Sequence, residues 1–273
     1  MANPILNDKA FGAAATKSGA TWAPPKPGVD WNPPITDGPV TTWQSADDRM
    51  TVSGTAAAAG VLLVLLLISA SFGWAAVPDV AEGQSPTFPG IAMIGVIVGF
   101  VAVIVAMLKP KLARFLAPVY ALAQGYFVGA ISKAYENFQD GIVLQAILAT
   151  VGVFAAMLFL YGTRIIKVTD RMRRIVIGAT MGIALLYLVS FVINLFGGNV
   201  SFLQEPTLFG IAFSLFVVGL AAFNLALDFD FIERGSKSNL PKHMEWVAAL
   251  GLLVTLVWLY LEMLRLLSKL RER

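Results

Sequence analysis

The 273-residue sequence has no cysteine and a single histidine, His243. Without cysteine there are no disulfides, no thiolate metal ligands and no thiol nucleophile. One histidine rules out a multi-histidine metal centre within the chain. Charge is sparse too: only 14% of residues are Asp, Glu, Lys or Arg, and the net charge is +3. The basic residues sit in short segments between apolar runs, a distribution that does not point to nucleic acid. What fills the chain instead is apolar. Hydrophobic residues make up 57%, where about 45–50% is usual for a soluble domain, and the mean hydropathy is +0.73.

Catalytic signatures are missing as well. There is no Gly-x-Ser-x-Gly elbow, no His-Glu-x-x-His motif and no P-loop. A Ser-His relay would have to use His243, at the start of the last apolar run. The expectation is a protein that is not an enzyme and carries no cofactor.

Residues 1–48 differ in kind from the rest. Pro4, Pro24, Pro25, Pro27, Pro33, Pro34 and Pro39 alternate with Gly, Ser, Thr and Asp. No helical or alternating period emerges, so this segment reads as a disordered tail with local extended structure. A basic segment followed by an apolar core is not present, so it does not read as a signal peptide.

Residues 49–273 read as one all-α membrane domain. A bilayer-spanning helix needs about 20 apolar residues, and seven stretches qualify: 52–77, 89–108, 113–134, 142–162, 174–196, 207–230 and 243–267. Lipid cannot satisfy backbone polar groups, so these stretches must be helices. Pro78, Pro89, Pro110, Gly141, Gly197, Gly198, Pro206 and Pro241 mark their ends. The pairs Gly125/Gly129 and Gly178/Gly182 put small residues on one helix face, where backbones can approach closely. A retinal Schiff base is excluded, because Thr255 and Trp258 stand near the middle of the last span and its lysine, Lys269, falls past the end.

Lys and Arg set the orientation. Lys109, Lys111 and Arg114 follow the second span. Arg164, Lys167, Arg171, Arg173 and Arg174 follow the fourth, and Arg234, Lys237 and Lys242 the sixth. The alternate loops carry acids such as Asp79, Glu82, Asp140 and Glu205. The even-numbered loops and the N-terminus are therefore expected on the cytoplasmic side of a plasma or inner membrane. Seven crossings put the C-terminus outside despite Arg265, Lys269, Arg271 and Arg273; a re-entrant last segment is the alternative.

Acids at membrane depth are costly and are functional-site candidates by default. The sixth span ends in Asp228-Phe-Asp230-Phe-Ile-Glu233. Asp230 and Glu233 share a face, and Arg234 can neutralise Asp230 at i+4, so this pair reads as ordinary helix-end charge. Asp228 is the deepest acid. It must pair, face water or take up a proton, and each option makes it sensitive to pH or cations. On the last span, Glu262 has a local partner in Arg265. Thr255 is nearer the level of Asp228 and lies seven residues before Glu262, so one line could run Asp228, Thr255, Glu262, with Glu262 at the outer mouth and about 20 Å from Asp228 in height. Tyr120, Gln124, Gln145, Tyr187, Asn194 and Asn224 are further intramembrane polar groups, suited to hydrogen bonds between helices.

Three segments resemble one family. The ending Leu227-Asp-Phe-Asp-Phe-Ile232 is similar to the aspartate-bearing signature of the Bax inhibitor-1 (transmembrane Bax inhibitor motif) family. Pro118-Val-Tyr-Ala-Leu-Ala-Gln-Gly-Tyr-Phe-Val-Gly129 resembles its third helix, and Leu253–Leu267 its seventh. The Pro-rich N-terminal arm looks like that of the actinobacterial branch. The resemblance implies a seven-helix bundle around a central seventh helix. It also implies a pH-dependent calcium leak gated by one aspartate on helix six and another on helix seven, with calcium as the permeant ion. Asp228 matches the first, as main titrating group and calcium-path acid, in an ion path with Thr255, Glu262 and Asp230. Thr255 stands where the second is expected, a departure from the pattern. The alternative is a non-conducting regulator that binds membrane proteases or stress proteins.

Overall fold

In the computed structural model the described residues are 49–79, 89–196 and 205–273. They form seven α-helices: α1 (Val52–Ala75), α2 (Gly90–Leu108), α3 (Ala113–Phe138), α4 (Ile142–Gly162), α5 (Asp170–Leu195), α6 (Leu208–Lys237) and α7 (Met244–Arg271). All seven are long and apolar enough to cross a membrane. The tail expected over residues 1–48 lies outside the described residues.

Local chemistry explains several starts. Thr51, Thr169 and Thr207 are extended, and each side-chain hydroxyl accepts from the backbone N–H three residues on, at Gly54, Met172 and Gly210. Each satisfies one of the orphan donors at a helix N-terminus. Gly141, before α4, takes φ +73°, a conformation that costs glycine little.

Helix α7 is the hub, packed against α1, α3, α4 and α6. Its buried side chains join those of α1 and α3 in one core cluster, and those of α4 and α6 in another. The closest pairing is α1 on α3. Gly125 faces the Leu66 carbonyl, Gly129 the Ala70 carbonyl, and Gly73 the Tyr126 carbonyl. The Gly125/Gly129 pair thus packs within the bundle. Gly178 and Gly182 differ, since a Cβ at either would meet nothing within 4 Å. Helix α2 packs mainly on α3, and α5 on α6.

Two helices outrun the sequence reading. Helix α6 continues about two turns past residue 230, and α7 continues past 267 to Arg271. α7 is one unbroken helix of 28 residues, about 42 Å long, long enough to cross a bilayer without a break. Lys269, expected past the end, lies inside the helix and is 2% exposed.

The segment before α1 is fastened to the α6–α7 turn. Met50 N–H donates to the Leu240 carbonyl at 2.7 Å, and Arg49 pairs with Pro241 in an isolated antiparallel bridge. The buried Glu245 carboxylate, in the first turn of α7, accepts from both Thr51 N–H and Thr51 Oγ1 at 2.9 Å. It also abuts Gly54 at the positive end of the α1 dipole. Replacing Glu245 by Ala strands these donors and is expected to destabilise the bundle by about 1–3 kcal/mol. Thermal unfolding in detergent checks this; an unchanged midpoint would show that the clamp contributes nothing.

Candidate functional site

The polar groups of the bundle gather along α6 and α7. On α7, Thr255, Glu262 and Lys269 are spaced by seven residues, so they line one face, and all three are buried, with 8%, 2% and 2% exposure. Asp228, half-buried on α6, meets this face in the N-terminal half of α7, near Gly251 and Thr255. Its Oδ1 lies so close to Gly251 that a Cβ there would be 3.7 Å away. The Thr255 hydroxyl stands beside the Asp228 carboxyl and donates to the Gly251 carbonyl at 3.2 Å. Asp228 Oδ2 is shielded and receives no hydrogen bond within the protein.

Glu262 lies two turns beyond Thr255, about 10 Å along the helix. Asp228 lies against Gly251 and Thr255, so the two carboxylates differ in level by about 10–16 Å, somewhat less than the 20 Å expected. Glu262 does not stand at an open mouth either. Because α7 runs on to Arg271, Glu262 sits about 14 Å inside the helix end. One oxygen, Oε1, accepts from Tyr187 Oη and Arg265 Nη1, both at 2.8 Å, and Arg265 Nη1 also donates to Tyr187 Oη at 2.6 Å. The other oxygen, Oε2, is buried and unbonded. Thus Asp228 and Glu262 each keep one unused carboxylate oxygen in the bundle interior. A further two turns on, Lys269 Nζ donates to the Gly210 carbonyl at 3.1 Å and to Ser214 Oγ at 3.0 Å on α6.

The other acids of the sixth helix are engaged. Asp230 binds Arg173 at 2.7 Å and also Arg234. Glu233 accepts from Tyr161 Oη and Lys237 Nζ at 2.5 Å, and from Arg164. Hydrogen bonding to Glu233 holds the Arg164 guanidinium above its ordinary pKa. These pairs tie the α4–α5 segment to α6. The structure places Asp230 here with two guanidiniums, about half a turn from Asp228 and apart from Thr255 and Glu262.

Helix α5 is held along one face by polar clamps also spaced by seven. Arg173 reaches Asp230, Thr180 Oγ1 accepts from Asn224 Nδ2 at 2.8 Å, and Tyr187 reaches Glu262 and Arg265. Val176 and Ile183 fill the layers between them against Val217 and Leu220. Of the polar residues singled out in the sequence, Tyr187 and Asn224 therefore join helices.

Sequence reasoning missed Glu245, Lys269 and the Tyr187 link. Glu245 left a readable signal, as an acid in a first helical turn. Burial of Lys269 depends on the Gly210 carbonyl and Ser214, remote in sequence. Among the described residues no three His, Asp or Glu side chains cluster as a metal site.

The sequence of this seven-helix bundle matches one family model, Bax inhibitor 1 like, over residues 3–272. The chain belongs to the Bax inhibitor 1 like family. No curated protein matches the sequence. As a Bax inhibitor 1 like protein with seven membrane-length helices, it is a multi-pass membrane protein. Within this Bax inhibitor 1 like bundle, the residue facing Asp228 from α7 is a threonine hydroxyl.

Proposed function

We propose that this protein is a proton-modulated cation leak, with calcium as the permeant ion and Asp228 as the main titrating group. The observation that carries the reading is the Asp228 carboxylate, with one shielded oxygen unclaimed by any donor, set against the central helix at Thr255. An unclaimed carboxylate in low dielectric favours a proton or a cation as its partner. Thr255, Glu262 and Lys269 continue the polar face toward the other end of α7. Glu262 supplies a second unclaimed oxygen, and Asp230 is held as a structural anchor by its arginines. The arrangement has a closed end, because Arg265 and Tyr187 cover Glu262, so cations pass only when that contact opens.

The distribution of Lys and Arg supports a cytoplasmic N-terminus, a plasma or inner membrane and an external C-terminus. Calcium flux into liposomes holding the purified protein tests the reading. The expected result is pH-dependent flux that falls or loses its pH dependence in Asp228→Asn. Equal flux from both proteins at acid and alkaline pH would overturn it.

A non-conducting regulator of membrane proteases or stress proteins is the second reading. Thr255 in place of a carboxylate, with Glu262 already neutralised by Arg265, favours it. It predicts no flux in either protein, together with a partner that co-purifies through the cytoplasmic loops or tail.

A further inference from the structure

A cavity lies on another side of α7, away from the polar face. Helices α1 and α4 both pack on α3 and α7 but not on each other, and the gap between them is a groove of about 540 Å³. That falls within the range of roughly 300–1,000 Å³ typical of ligand sites. Its floor is Gly129 of α3 with Leu252 and Val257 of α7, and its rim is Leu63 and Leu67 of α1 and Val151 of α4. The rim leucines and valine are exposed, so the groove opens sideways, where a bilayer would lie.

Three features select the occupant. The lining is almost wholly apolar. It is elongated along the helices: on α1 it runs from Ala59 to Trp74, about 22 Å, more than the roughly 15 Å of one hydrocarbon leaflet. A charged side chain stands at its Trp74 end. Trp74 closes that end, and the Lys133 ammonium lies 5.2 Å over the Trp74 ring. Lys133 is paired with the Asp79 carboxylate, whose side chain is 89% exposed. A tryptophan and a lysine at the end of an apolar slot are interfacial anchors, and an exposed carboxylate is readily exchanged for a phosphate.

We propose that this groove binds one acyl chain of a phospholipid from the leaflet at the Trp74 end, with the lipid phosphate on Lys133. The site differs from the shell of lipid around any span, because a buried face of the central helix forms its floor. An occupying chain therefore presses on the helix that carries Thr255 and Glu262. The site does not depend on whether the protein conducts.

Photolabelling tests it. The full chain is reconstituted in phosphatidylglycerol vesicles containing a phospholipid with a diazirine on one acyl chain, irradiated, and mapped by peptide mass spectrometry. Label is expected to concentrate on groove-facing residues of α1 and α4, over the equally exposed faces of α2 and α5. Gly60→Phe should fill the groove and reduce that label several-fold. A Cβ at Gly60 meets no atom within 4 Å, so the fold tolerates it, and Val151→Trp is a second filler from the other rim. Gly152→Phe, equally open but outside the lining, should leave labelling unchanged. Lys133→Gln should lower it. Label spread evenly around the bundle, labelling insensitive to both fillers, or chain-to-chain crosslinks in place of lipid adducts would each overturn the proposal.

Discussion

Arg265→Gln is expected to destabilise the bundle by about 3 kcal/mol or more, the cost of leaving a buried charge without its partner. The reason is the asymmetry of the pair. Glu262 is 2% exposed, whereas Arg265 is 36% exposed along its side chain. With Arg265 gone, the Glu262 carboxylate keeps only Tyr187 Oη and cannot move to water. With Glu262 gone, the longer Arg265 can extend its guanidinium toward the membrane surface. Glu262→Gln should therefore be mild, and adding it to Arg265→Gln should recover most of the loss. Thermal unfolding of the three variants in detergent measures this. Equal losses in both single variants, with no recovery in the double, would show that the contact is not a buried charge pair.

The second large effect is steric. Gly129→Val should prevent or strongly weaken assembly, at a cost on the order of 3 kcal/mol or more. A side chain there would overlap the Ala70 backbone of α1, and backbone cannot shift as a flexible side chain can. Close approach of small residues is a main source of helix association in lipid, where hydrophobic burial contributes little. Gly178→Val provides the contrast, since nothing lies within 4 Å of a Cβ at that position. Gel filtration of detergent-solubilised protein distinguishes the two: a monodisperse, heat-stable Gly129→Val protein would contradict the α1–α3 packing.

Apolar run length made the seven helices legible, and proline and glycine marked most boundaries to within a turn. The ends of α6 and α7 were not legible, and the cause is the same in both. Residues 231–234 read as a charged helix end past the apolar span, and 235–237 and 268–271, rich in charge, glycine or serine, give no apolar continuation. In the structure Lys237 and Arg234 neutralise Glu233 and Asp230 one turn away, Arg164 and Arg173 complete the pairs from the α4–α5 segment, and Gly235 makes room for Met50. Lys269 finds neutral acceptors on the first turns of α6. Such tertiary partners leave no periodic trace in sequence.

The candidate site was half legible. The depth of Asp228 and the nearness of Thr255 follow from counting residues from the α6–α7 turn. The closure of Glu262 by Tyr187 does not, because α5 is clamped to α6 at Arg173 and Thr180 and reaches the α7 carboxylate from there through Tyr187, and no local spacing announces that geometry. The same clamps make α5 the helix whose detachment would uncover both Glu262 and the Asp230 anchor.

In the proposed leak, Asp228 exchanges protons and cations inside the bundle. Infrared difference spectroscopy of the protein in lipid, between alkaline and acidic pH, observes that exchange directly. A protonated-carboxyl band should rise on acidification, diminish when calcium is added, and vanish in Asp228→Asn. A band that persists in Asp228→Asn, or that calcium leaves untouched, would contradict it.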